Sequence, residues 1–111
     1  MKVYILIAQN FDGQNIVRVL GSKATAEEFK ILLNKLYDTI IKLNEQESED
    51  RHAYWDNHQF ITDKNRVLDK YHETESYKKY LVLRKKGYGV LDLVGAPAGC
   101  YECVVEEHKV E

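Results

Sequence analysis

Cys100 and Cys103 stand in a C-x-x-C spacing within "GCYECVVEEHKV", with His108 five residues further on. Two thiolates and an imidazole are zinc-ligand types, and a C-x-x-C pair at a helix start is the arrangement of dithiol redox sites. The residues that follow decide between these chemistries and a plain strand. Val104 and Val105 are β-branched, so "CYECVVEEHKV" reads as a strand. Side chains three apart on a strand point to opposite faces, which would set Cys100 with Glu102, Val104 and His108, and Cys103 with Tyr101, Val105 and Glu107. A zinc ribbon also needs a second C-x-x-C pair, and His52, His58 and His72 are the only further candidates. The expectation is therefore no metal and no cofactor.

A second constellation is "HAYWDNH", with His52, Asp56 and His58 as an acid–base or metal set. Its histidines are six apart, where one helix face needs i, i+4. No glycine-rich phosphate loop, G-x-S-x-G or H-E-x-x-H occurs, and "GYG" and "GAPAG" read as turns. No catalytic residue is assigned and no enzyme is expected. An enzyme or small-molecule binder would instead present a deep pocket ringed by Trp55, His58 and Tyr88.

Binding chemistry is better represented. Residues 25–50 carry seven acids against three bases, 63–88 carry eight bases against four acids, and from 92 onward there are five acids and one lysine. Segregated charge of this kind bears on partners and association rate more than on fold. The acidic candidates are Glu45, Glu47, Glu49 and Asp50, which could meet a basic patch on another subunit or on a partner protein. The basic candidates are Lys78, Lys79, Arg84, Lys85 and Lys86, interleaved with tyrosines including Tyr88, and joined earlier by Lys64, Arg66 and Lys70. Lysines alternating with tyrosines also fit single-stranded nucleic acid, although a pI of 6.1 is far from the strongly basic range of such modules.

The elements that must position these residues follow from pattern. In residues 2–9, "KVYILIAQ", both alternating faces are apolar, which places this strand inside a sheet. Asp12-Gly13 supplies the residues of a tight hairpin turn, and 14–21 returns antiparallel. Thr25 to Glu28 has the T-x-x-E form of a capping box, so a long helix should begin there. Phe29, Leu32, Leu33, Leu36, Tyr37 and Ile40 form its apolar stripe, with Lys30, Asn34, Lys35 and Asp38 opposite. Residues 44–62 lose a clear period and are expected to form further helical turns or an ordered excursion anchored by Trp55 and Phe60. "DKNRVLDKYHE" reads as a short helix with Val67, Leu68 and Tyr71 inward. Over 77–94 the signals compete: Tyr77, Tyr80, Leu81 and Arg84 have helical spacing, whereas the run 80–83 and the glycines at 87 and 89 favour a hairpin, which is the reading adopted.

The opening "KVYILIAQNFDGQNIVRVLGSKATAEEFK" resembles the small β-β-α proteins of phages and other mobile elements, through Val3, Tyr4, Ile5, Ala26, Glu27, Glu28 and Phe29. The resemblance covers the first third of the chain and carries over no functional residue. It implies a hairpin followed by a helix, and a way of acting by binding and blocking a host protein, host defence systems included.

Together these give one α+β domain over residues 1–111, with a largely antiparallel sheet, an N-terminal β-hairpin, a long amphipathic helix packed on it and C-terminal strands. With no apolar run of about 18 residues and no secretory cleavage site, a cytoplasmic protein without membrane attachment is expected. Its function is expected to be non-catalytic protein binding through Glu45, Glu47, Glu49, Asp50, Trp55 and the basic segment, with nucleic acid as the alternative partner. An exposed strand edge adds homodimerisation as a further expectation.

Overall fold

The computed structural model describes residues 1–58 and 64–110. The order is β1 (Lys2–Asn10), β2 (Gly13–Leu20), α1 (Lys23–Asn57), α2 (Lys64–His72), α3 (Glu75–Val94) and β3 (Glu102–Lys109). The fold is α+β, with one three-stranded antiparallel sheet in the order β2-β1-β3. Two compact units share the chain: Met1–Thr39 with Tyr88–Glu111, and Ile40–Gly87. Among the described residues no helix is long and apolar enough to cross a membrane.

In the sheet unit, β1 is central because both of its faces are apolar, and Leu6, Ile7 and Ala8 are buried in succession. The hairpin turn is Phe11-Asp12, since Asn10 lies opposite Gly13. Among the described residues no non-glycine, Asp12 included, adopts a positive φ. Asn10 Oδ1 accepts the Asp12 amide at 2.9 Å, an Asx turn that closes the loop by a side chain.

The helix start also differs from expectation. Ser22 is the N-cap, its hydroxyl accepting the Thr25 amide at 3.3 Å, so α1 begins before the T-x-x-E tetrad. Within this unit α1 buries Ala26, Leu33 and Tyr37, while Leu32, expected in the apolar stripe, is 64% exposed. Asn34, expected on the polar side, turns inward. Its Nδ2 donates to the Cys103 carbonyl at 3.0 Å and its Oδ1 accepts the Cys103 amide at 2.6 Å. One amide thus satisfies both backbone groups of a residue on β3, which rotates the buried face of the helix toward Asn34.

The expected 77–94 hairpin is a helix. Tyr77, Tyr80, Arg84, Gly87 and Leu91 step by three or four residues, and this periodicity outweighs the strand propensity of Tyr80 to Leu83. Gly87 is not a turn residue: a Cβ there would lie 3.1 Å from Ile40 Cγ1, so its lack of a side chain lets α3 approach α1 closely. The helix stops at Gly95, whose φ is 74°. The Ala96 amide bonds to the Leu91 carbonyl at 2.9 Å and the Gly95 amide to the Asp92 carbonyl at 3.2 Å, which is the Schellman pattern. One C-terminal strand therefore stands where several were expected.

In the helical unit α1 runs on to Asn57, so the expected excursion from residue 44 begins as helix; Phe60 lies outside the described residues. Val67 and Tyr71 of α2 are buried and Leu68 is half-buried, as their spacing predicts. Thr74 caps α3, its hydroxyl accepting the Tyr77 amide at 3.3 Å.

Candidate functional site

On α3, Lys78, Lys79, Val82, Lys85 and Lys86 fall within an arc of about 120° at 100° per residue, so four ammonium groups share one face. All five are exposed, with Val82 at 66%. Lys78 Nζ lies 3.9 Å from Glu75 Oε1, an exposed pair that contributes little. Arg84 is exposed as well, but helical spacing turns it away from the lysines. Tyr88 is half-buried in the sheet unit and does not join them.

The tyrosines of this segment point elsewhere. Tyr54, Tyr71, Tyr77 and Tyr80 form a run of tilted ring contacts, with centroids 5.6, 5.2 and 5.9 Å apart in that order. Tyr71 is 3% exposed, and its hydroxyl donates to the Glu47 carbonyl at 3.2 Å. Tyr80 donates to Asn44 Oδ1 at 2.8 Å. Burial, with the Glu47 and Asp50 carboxylates nearby, pushes the Tyr71 phenol up from 10 to about 12. Tyr71 is buried in the helical unit with Ile40 and Val67, and the other three rings are half-buried, so the tyrosines that interleave with the lysines in sequence are largely engaged with one another.

The acidic candidates also divide. Glu45 and Glu49 are exposed, four apart on α1, whereas Glu47 and Asp50 are half-buried. Asp50 accepts from Gln46 Nε2 at 3.0 Å, and Glu47 is 3.9 Å from Arg51. Glu47, Asp50, Tyr71, Lys79 and Tyr80 line a cavity of about 240 Å³. Part of the acidic run therefore faces a lysine of its own chain. Trp55 is half-buried and lines a pocket of about 320 Å³ with Arg51, His52 and Leu68. His52 and His58 each direct Nδ1 at the carbonyl four residues earlier, Ser48 at 2.6 Å and Tyr54 at 2.7 Å. His58 also stacks on Tyr54, with centroids 3.9 Å apart.

Cys100 and Cys103 are free thiols and both are buried. The expectation of opposed faces on one strand does not hold, because β3 starts at Glu102 and leaves Cys100 in the turn before it. Both lie near Tyr37, whose hydroxyl donates to the Pro97 carbonyl at 3.0 Å. Burial, reinforced by Cys100 and Cys103, holds the Tyr37 phenol well above its ordinary range. Burial also raises the Cys103 thiol to about 11 against the opposing pull of Lys30, so it stays protonated and weakly nucleophilic. Among the described residues, no three or more His, Cys, Asp or Glu side chains come together so as to hold a metal ion.

Comparison with known proteins adds no relative. No protein-family model, no curated protein and no solved structure matches this chain. The surfaces described above carry the functional argument alone. Of these, sequence spacing missed the common lysine face, because that face exists only when residues 75–94 are one helix; the i, i+4, i+7 steps Lys78, Val82 and Lys85 were its signal.

Proposed function

We propose that this chain is a non-catalytic binding protein that acts by protein–protein contact, with the lysine face of α3 docking on an acidic surface of its partner. Four ammonium groups around one exposed valine provide long-range attraction and an apolar contact at the centre, the usual division between a polar rim and a buried core. The observation that carries this is that the tyrosines of this segment are engaged within the helical unit, although Lys79 does line a cavity with Tyr71 and Tyr80. A single-strand binder stacks bases on aromatic rings beside its cations, and here Tyr71, Tyr77 and Tyr80 are engaged with one another and with α1. The resemblance to small phage proteins supports a finer form, in which the partner is a host protein, defence components included, that docking blocks. The cytoplasm is the matching location.

The test is affinity capture with mass spectrometry, run with and without nuclease, on the wild-type chain and on Lys78/Lys79/Lys85/Lys86→Glu. A stoichiometric protein that survives nuclease and is lost with the charge reversal supports the proposal. Capture that vanishes with nuclease contradicts it.

The same four lysines favour one second reading, binding to a nucleic-acid backbone without base stacking. Neutralising four phosphates would give a log–log salt slope of about −3 on single strands. A slope near zero against oligothymidylate excludes that use.

A further inference from the structure

The two edges of the sheet are closed to different degrees. On the β2 edge the pairing with β1 shifts between Leu6 and Ile7, so that Arg18 and Ile16 lie opposite successive residues and Val17 is extra. Such a bulge twists an edge and breaks the regular row of amides and carbonyls an incoming strand needs. The β3 edge pairs with β1 without a shift from Glu102 to Lys109. On this edge Asn34 takes both backbone groups of Cys103. Those groups therefore face away from β1. Because alternate residues of a strand present their groups to the same side, the N–H and C=O of Val105 and Glu107 face outward on the same edge. Among the described residues no strand lies beyond β3 in the sheet.

The side chains along this edge set the chemistry of what fits. Glu102, Glu106 and Glu107 are exposed, with Val104 and Val105 half-buried between them. Glu107 is 3.4 Å from Lys2 and Glu106 is 3.5 Å from His108, exposed contacts that leave both carboxylates open to solvent. By contrast β2, "GQNIVRVL", has no acid. A second copy paired antiparallel about Glu106 or Glu107 would set a glutamate directly against its counterpart, which is unfavourable. A strand with basic residues there gains instead.

We propose that β3 accepts an extended basic segment of a partner protein as a fourth strand, antiparallel, held by the outward backbone groups of Val105 and Glu107 and selected by Glu102 and Glu106. This is β-augmentation, in which backbone pairing gives affinity and alternate side chains give specificity. It uses none of the lysines of α3 and stands or falls without them.

The experiment follows amide exchange by NMR on the full chain with three probes: a capped peptide alternating lysine and valine, the same peptide with glutamate for lysine, and the lysine peptide N-methylated at alternate residues. The expected result is at least about tenfold slower exchange at Val105 and Glu107 with the lysine peptide alone, corresponding to about 1.4 kcal/mol by RT ln 10. Glu102→Lys with Glu106→Lys, both exposed and outside the core, should weaken that peptide at least about fivefold. Equal protection by the glutamate or N-methylated peptide, protection on β2 instead, or no protection at all overturns the proposal. Slowing that appears with protein concentration in the absence of peptide also overturns it, in favour of a second copy.

Discussion

The sheet unit and the helical unit use tyrosine to different extents. In the sheet unit the interior is aliphatic around Leu6, Ala8, Leu33 and Leu91, with one buried tyrosine, Tyr37, whose hydroxyl donates to the Pro97 carbonyl, and Asn34 satisfies both backbone groups of Cys103. In the helical unit Tyr71 is buried with Ile40 and Val67 and continues into a run of half-buried tyrosine rings, and the hydroxyls of Tyr71 and Tyr80 reach Glu47 and Asn44 on α1. Aliphatic area removed from water dominates the first unit, whereas the second adds several rings whose polar ends must find partners. The difference teaches why charge segregates to the outside of α3: with the tyrosines spent inside, lysines are what the outer face has left.

Removing apolar area should have the largest effect. Leu6 is fully buried on the central strand, and Leu6→Ala is expected to cost about 2–5 kcal/mol in urea unfolding. Val82→Ala, on the exposed lysine face, should change stability by no more than about 0.5 kcal/mol. A comparable loss at both positions would mean that Val82 is not on the surface.

Asn34→Ala comes next, because it leaves the Cys103 amide and carbonyl without their partner, at about 1–3 kcal/mol. Faster amide exchange at Cys103 should accompany the loss. Unchanged exchange there would show that the amide is not what closes this edge.

Tyr71→Phe sharpens the contrast from the helical side, with an expected loss of about 0.5–1.5 kcal/mol. Its pH dependence is more telling than its size. The fold favours the neutral phenol, so the stability it contributes is complete below pH 10 and falls as pH rises through about 12. Tyr71→Phe should therefore flatten part of the alkaline loss. The part due to Cys103, raised in the same direction to about 11, should remain.

The smallest effect is expected at Gly87. Alanine gains up to about 1 kcal/mol in a helix interior, but its Cβ would crowd Ile40 at 3.1 Å, and the two effects should nearly cancel. In an Ile40→Ala background the same change should become stabilising, and a double-mutant cycle reads the coupling.

What could be read from sequence was the part governed by alternation and period. The central position of β1 follows from its two apolar faces, and the inward set Val67 and Tyr71 follows from helical spacing. Polar residues that turn inward leave no periodic trace. Asn34 looked solvent-facing because its type is polar, and its role depends on where Cys103 sits 69 residues later. The helix over 75–94 was obscured because Gly87 resembles a turn residue, although it is small for the sake of Ile40; the true stop was Gly95, with Pro97 two residues on. Of the candidate binding residues, Lys78, Lys79, Lys85 and Lys86 assemble on one face, whereas Glu47, Asp50 and Tyr88 are drawn inward.

The lysine face depends on α3 being one helix, so backbone Cα chemical shifts over residues 75–94 test it most directly. Uninterrupted helical shifts through Gly87 and Gly89 to Val94 are the predicted result. Strand-type shifts on either side of a turn at 86–89 would scatter the four lysines over two faces of a hairpin and contradict the proposed docking surface.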